Sequence, residues 1–383
     1  MAITPRQLNR ATLARQSLLQ RQSTTVADAV RGAVALQAQE PASPYLALWN
    51  RVAGFEPADL DKAFDEQAVV KATLMRITLH AVHADDYATF HQAMERNLRA
   101  ARLGDRRFTG TGLTIADVDA LLPDLLDHLA EPRAKAEIEA FLEAHVGATP
   151  EPGVWWALRT YAPLHHAPTG APWTFGLQPS FVAAPPAARD DAEVALQGLV
   201  RRYLEGFGPA TIADIGQFSL QQRGGLRAAV EALGDDLVRL DGPDGTVLYD
   251  VPDGEVPDED TPAPPRLLGM WDSVLLAYHD RSRVLPEDYR KVVIRTNGDV
   301  LPTVLVDGHV AGVWRPVDGG ANGSSGGIEV HAFHRLHDDA WTALADEAAD
   351  LVELLADRDP AVYTRYRRWW TKLPDAEVRV VGT

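Results

Sequence analysis

Residues 208–251 read GPATIADIGQFSLQQRGGLRAAVEALGDDLVRLDGPDGTVLYDV, and this stretch decides the fold. Its first twelve residues are a short capped helix, and residues 220–233 form another. LVRLDGPDGTVLYDV is then a strand, a Gly/Pro/Asp turn and a strand, which makes a hairpin. A longer helix at 191–205 stands in front. Helix, helix, helix, hairpin is the plan of a winged helix, a variant of helix-turn-helix.

Working outward, the same plan repeats twice more loosely. In residues 4–82, Thr4-Pro5 is an N-cap with a first-turn proline, and Leu8, Leu13, Leu18 and Leu19 give an apolar stripe. Thr24-Thr25 can cap a second helix from Val26 to about Leu36, and apolar segments follow at 44–52 and after Pro57. The run VVKATLMRITLH (69–80) is β-rich. In residues 112–185 three helices (114–128, 133–146, 152–161) precede HAPTGAPWTF, a turn between two strand-like pieces. The Pro- and Asp-dense VPDGEVPDEDTPAPPR (251–266) marks a domain boundary. Beyond it, strand-like runs at 273–278, 291–296, 300–306, 310–315 and 328–333 indicate a small antiparallel barrel or sheet, closed by a helix at 338–355. The expected class is α+β. Its divisions are three tandem winged-helix modules at 1–108, 109–189 and 190–254, a linker at 255–265 and a β-domain at 266–383.

The 383 residues suit two or three domains, and 46% hydrophobic with 24% charged residues is the balance of a globular protein. No apolar run approaches the roughly 18 residues of a membrane span. The start MAITPRQLNRATLARQ lacks the apolar segment of a secretion signal, so a cytoplasmic protein is expected. Without cysteine there is no disulfide, thiol nucleophile or thiolate metal site. The net charge of −17 counts against an evenly basic nucleic-acid binder. The charge is uneven, however. Residues 1–35 hold Arg6, Arg10, Arg15, Arg21 and Arg31 against Asp28, whereas residues 235–260 hold ten acids against Arg239. Screening confines each field to about 8–10 Å, so an acidic protein can still present a basic face.

There is no P-loop, no GxGxxG after a strand, no GxSxG and no HExxH. His331, His334 and His337 have the spacing of one helical face and read as a solvated helix start rather than a metal site. LQAQEPASPYLALWNRV (36–52) is different. Gln37 and Gln39 would diverge on a helix, but on extended backbone i and i+2 share a face. Pro41 pushes Glu40 out of the helical region. Two amides could then point together into a cleft; the alternative is a polar helix terminus whose glutamines bond local backbone. Tyr45 and Trp49, four apart, read as core.

The segments LNRATLARQ, VALQAQEPASPYLALWNRV, LMRITLHAVHADDY, GFGPATIADIGQFS, LLAYHDRSRVLP and VLVDGHVAGVWR together resemble the tandem winged-helix DNA glycosylases of the AlkZ type. The resemblance covers nearly the whole chain. It implies three winged helices in a C-shape with a small C-terminal antiparallel β-barrel, and excision of bulky N7-alkylated purines. It also implies unhooking of interstrand crosslinks and self-resistance to a DNA-alkylating antibiotic. The family's catalytic Gln–apolar–Gln motif falls on Gln37-Ala38-Gln39, and Gln39 in place of the variant Asp implies the crosslink-directed branch. A barrel hairpin that probes the duplex falls at 310–330, which contains the glycine-rich loop GGANGSSGG.

Glutamine does not titrate and cannot protonate a leaving group. An N7-alkylated purine already carries positive charge and leaves neutral, so no acid is needed; two amides that place a water and favour an oxocarbenium-like sugar suffice. Arg76, His80 and His83 are candidates for phosphate or sugar contacts beside the glutamines. Arg281, Arg283, Arg315 and the tail arginines Arg365, Arg367 and Arg368 are candidates for the DNA backbone. The expectation is a monomeric, monofunctional glycosylase on double-stranded DNA, acting at the nucleoid, with no metal, organic cofactor or membrane. The rival is a winged-helix regulator or a drug-sequestering DNA-binding protein without chemistry.

Overall fold

Thr4 opens the first helix, Pro5–Arg15. Its hydroxyl accepts from the Gln7 amide at 3.1 Å, and Gln7 Oε1 accepts from the Thr4 amide at 3.0 Å. Two otherwise orphan donors are satisfied in this way. The device recurs at Thr114 and Thr211, each with an aspartate three residues on, at the heads of helices Ile115–His128 and Ile212–Ser219. The computed structural model describes residues 2–382 apart from 151, 189, 318–325, 357 and 375–376. Most of the glycine-rich loop at 319–327 therefore lies outside the described residues.

Helices Val26–Gly32, Ser43–Trp49 and Pro57–Asp65 lead to a hairpin of Val69–Thr73 and Leu79–His83. The long helix Ala84–Leu103 follows. Helices Ile115–His128, Lys135–Val146 and Trp155–Tyr161 then precede the paired strands Leu164–Ala167 and Ser180–Ala183. The stretch that opened the sequence reading folds as helices Ala192–Phe207, Ile212–Ser219 and Arg223–Leu233 and the hairpin Val238–Asp241 with Val247–Asp250.

The first two hairpins join. Lys71 pairs with His166, and the strands Leu36–Gln37, Leu79–His83, Val69–Thr73, Leu164–Ala167, Ser180–Ala183 and Arg133–Ala134 form one antiparallel sheet in that order. Each hairpin thus covers the other's open edge. The join buries Lys71, whose ammonium stands 4.3 Å from the centre of the Phe175 ring. Among the described residues no carboxylate pairs with it, and burial lowers its pKa from 10.5 to about 8. Between these values the unfolded chain holds the extra proton, so stability rises with pH across that window and the penalty is full below pH 8. Lys71→Met is expected to raise stability at pH 7 by about 1–3 kcal/mol and to flatten that rise. Thermal melts between pH 7 and 10 check it; parallel profiles for both proteins would refute it.

Beyond the Pro-rich segment the chain differs from the sequence reading in four places. The strands Glu377–Val381, Gly327–Ala332, His309–Val317, Thr303–Val306 and Arg266–Leu268 form a five-stranded antiparallel sheet whose end strands do not pair. It is an open sheet, not a barrel. The helix Asp338–Ala356 packs against both end strands through Trp341, Leu344, Ala348 and Leu351, so helix packing closes the apolar face that strand pairing would close in a barrel. The run at 273–278 is not a strand but a 3₁₀ turn, Ser273–Leu275, capped by Asp272. Residues 291–296 enter the helix Glu287–Val293, which Pro286 starts and two first-turn acids favour. His331 belongs to a strand and the helix begins only at Asp338, so the three histidines share no helical face.

Among the described residues two hydrophobic clusters hold the protein. One joins Leu13, Tyr45, Leu46 and Trp49 to Leu268, Trp314 and Leu344, and so fastens the N-terminal helices to the C-terminal sheet. The other runs through Val70, Phe90, Leu125, Leu158, Tyr203 and Phe218. Tyr45 and Trp49 are core, as their spacing indicated. No helix among the described residues is long and apolar enough to cross a membrane.

Candidate active site

The helix from Val26 stops at Gly32, earlier than its apolar pattern suggests, and Val34 takes a left-handed φ of +67°. The chain leaves that bend extended. Leu36 pairs with Ala81 and Gln37 with His80, and the Ala38 amide donates to the Leu79 carbonyl at 2.7 Å. Leu36 and Ala38 are sealed in the core, which turns Gln37 and Gln39 to the other face. The extended reading of this motif therefore holds over the helix-terminus alternative. Gln39 is exposed, and its Oε1 accepts from the Leu79 amide at 2.9 Å, where a backbone carbonyl would otherwise sit.

The tip of the adjoining hairpin is strained. Arg76 and Ile77 have φ of +54° and +58°, a region that costs a β-branched residue of order 1–3 kcal/mol. That bend delivers the Arg76 guanidinium. Its Nη2 donates to Gln37 Oε1 at 2.8 Å and to His80 Nε2 at 3.2 Å, and its Nη1 donates to the Phe218 carbonyl at 3.1 Å. His80 Nδ1 lies 3.0 Å from the Thr78 carbonyl, which can only accept, so Nδ1 carries the proton and Nε2 offers its lone pair to Arg76. Burial and the Arg76 charge push the His80 pKa well below its ordinary value. Burial and the charge of Arg281 lower Arg76 to about 10, which leaves it protonated at neutral pH.

Both glutamine oxygens face N–H donors, so both amide orientations are fixed, and each oxygen keeps a second lone pair. The site therefore holds two oriented amides and the Arg76 cation. The neighbouring carboxylate, Glu40, is occupied by Arg365 and by the Tyr366 hydroxyl at 2.8 Å.

The other sequence candidates divide. His80 has no exposed surface to offer a phosphate; it buttresses Arg76. His83 caps the Ala84–Leu103 helix by accepting from the Asp85 amide. Arg281 lies within electrostatic reach of Arg76, and its buried Nε has no partner among the described residues. Arg283 donates to the Pro209 carbonyl at 2.9 Å and lies over Tyr278, bracing the third hairpin unit. Arg315 is held by Glu329 at 2.8 Å. Two contributors escaped the sequence reading: the Phe218 carbonyl and the Glu40–Tyr366–Arg365 contact. The first is invisible in sequence, and the second could have been sought by matching the acid after Gln39 to the basic-aromatic tail.

A family model described as AlkZ-like, DNA glycosylase AlkZ-like, matches residues 30–354, which include both glutamines and Arg76. The chain belongs to the AlkZ-like family of DNA glycosylases. A curated relative, the interstrand DNA cross-link repair glycosylase of Streptomyces sahachiroi, is 25% identical over 328 residues, covering 79% of this chain and 85% of the relative. The solved structure of the Streptomyces sahachiroi DNA glycosylase AlkZ matches with a TM-score of 0.79 at 23% identity, over 92% of this chain and 97% of that one. That likeness is one of fold. The AlkZ-like assignment makes the chain an enzyme and DNA its substrate.

Proposed function

We propose that this AlkZ-like glycosylase hydrolyses the N-glycosidic bond of bulky N7-alkylated purines and unhooks interstrand crosslinks, giving self-resistance to a DNA-alkylating antibiotic. It acts in the cytoplasm as a monomer on duplex DNA, and its helix–hairpin units serve as three winged helices. The observation that carries this reading is the Arg76 clamp on Gln37, which fixes an amide at a site whose neighbouring carboxylate, Glu40, is already bonded. A catalyst lacking an acid suits a leaving base that is already cationic, because the C1′–N9 bond then breaks to a neutral purine. Gln37 and Gln39 accept from and aim the attacking water through their remaining lone pairs. Arg76 answers the phosphate beside the lesion, whose negative charge favours the oxocarbenium-like sugar. A base tethered to the opposite strand cannot swing into a closed pocket, so an exposed Gln39 suits a crosslink.

The test is incubation of the protein with an N7-alkylguanine duplex and with a crosslinked duplex. Free base, an intact abasic strand and activity in chelator are expected. Binding without base release from either duplex would instead favour a DNA-binding regulator.

The acidic segment is expected to face away from DNA. Asp250 in it is structural, paired with Arg15 at 2.6 Å and buried. Asp235, Asp244, Asp253 and Asp258 are exposed. Changing these four to asparagine should alter duplex affinity less than about twofold, because screening isolates them from a distant phosphate. A tenfold gain in a binding titration would place the segment against the DNA.

A further inference from the structure

The Ala84–Leu103 helix follows the strand that pairs with Gln37, and Arg102 lies in its last turn. Its last turns and the short Arg106–Thr109 helix carry Arg96, Arg99, Arg102, Arg106 and Arg107, and the Trp155–Tyr161 helix adds Arg159. Trp156 organises them: the Arg107 and Arg102 guanidinium groups lie 4.1 and 4.7 Å from its ring centre. Arg102 is fixed by donating to Thr160 Oγ1 at 3.0 Å. Asp105 takes Arg107 at 2.8 Å and Asp119 takes Arg99 at 2.7 Å. Arg96, Arg106 and Arg159 are exposed. Burial, and then the charges of Arg107 and Arg159, lower the Arg102 pKa, so the cations repel one another at this face.

We propose that this arginine face grips the sugar-phosphate backbone of the duplex arm that leaves the active site. The inference rests on the DNA reading above and adds where the helix of DNA runs. Asp105 holds the fork of Arg107, whereas the exposed Arg106 and Arg159 beside it carry the planar fork that matches a phosphate. A local cationic excess on a chain of net charge −17 points to a polyanion rather than to solvent. The face begins beside the site: Asn97, next to Arg96, donates to the Leu220 carbonyl at 2.9 Å, two residues from the Phe218 carbonyl that holds Arg76.

The test is the variant Arg106→Ala/Arg159→Ala, titrated against a lesion duplex of about 30 base pairs at several salt concentrations. The variant should bind more weakly than the wild type, and the slope of log K against log salt should fall by about 1.8, from about 0.9 for each lost phosphate contact. Arg106→Lys/Arg159→Lys should restore the slope, which a purely structural role of the guanidinium groups would not allow. Single-turnover excision at saturating DNA should be unchanged. An unaltered affinity and slope in the alanine variant, with excision intact, would overturn this inference alone. Loss of excision by the wild type would overturn the reading on which it rests.

Discussion

Gln37→Ala is expected to slow base release roughly 10²-fold or more while leaving duplex affinity nearly unchanged. A catalytic hydrogen bond aimed at the reacting centre is worth about 2.7–4 kcal/mol, whereas affinity for DNA comes mostly from phosphate contacts. The structure sharpens the expectation. Gln37 is buried and clamped by Arg76 at 2.8 Å, so its truncation leaves the guanidinium short of an acceptor as well as the water short of a guide. Gln39→Ala should act by a related route, because it also removes the acceptor of the Leu79 amide. Gln39→Asp keeps an acceptor there and should retain activity on small cationic lesions. Single-turnover assays on an N7-alkylguanine duplex, run beside a binding titration, separate the two effects. Wild-type excision rates in both alanine variants, with melting temperatures unchanged, would remove the glutamines from the chemistry.

Much of this was legible in the sequence, for reasons that differ from place to place. Caps and turns are local, so Thr4-Pro5, Thr25 and the hairpin at 238–250 could be read directly. Pro41 forbids helix at Glu40, so extended backbone at the glutamine pair could be argued. What local chemistry cannot tell is who pairs with whom. The join of two hairpins through Lys71 and His166 depends on an edge contact between segments far apart in the chain. The barrel failed for the same reason: alternating strands specify a sheet, but whether its ends meet or a helix covers them is a tertiary choice. At the site, Arg76 was a candidate for phosphate and His80 for the same role. Only the fold shows that His80 is buried and spends its lone pair on Arg76.

Asp272→Ala is expected to cost about 3–5 kcal/mol of stability, because it strands a buried guanidinium. Arg51 and Asp272 form a bidentate pair, Nη1 to Oδ2 at 2.8 Å and Nη2 to Oδ1 at 2.9 Å, with both side chains almost wholly shielded. Arg51 Nη2 also reaches Gln16 Oε1 at 3.3 Å, and Gln16 Nε2 donates to the Gly206 carbonyl at 2.9 Å. Asp272 in turn caps the turn that begins at Ser273, whose hydroxyl donates to the Ala35 carbonyl at 2.6 Å. One chain of polar contacts thus runs from the third hairpin unit through the first to the turn at Ser273, and ends one residue before the strand that holds Gln37. Desolvation makes the intact pair a poor source of net stability, but removing one partner leaves the whole penalty uncompensated. Arg51→Met/Asp272→Leu should therefore recover most of what Asp272→Ala loses. Urea unfolding midpoints check both; a double variant no more stable than the single would show that the pair itself stabilises the fold. Excision should follow stability only in part. Asp272→Ala loosens the Ser273–Ala35 contact and with it the placement of Gln37, so its excision rate at temperatures well below its own unfolding should still fall, whereas the double variant restores bulk without restoring the cap and should stay slow.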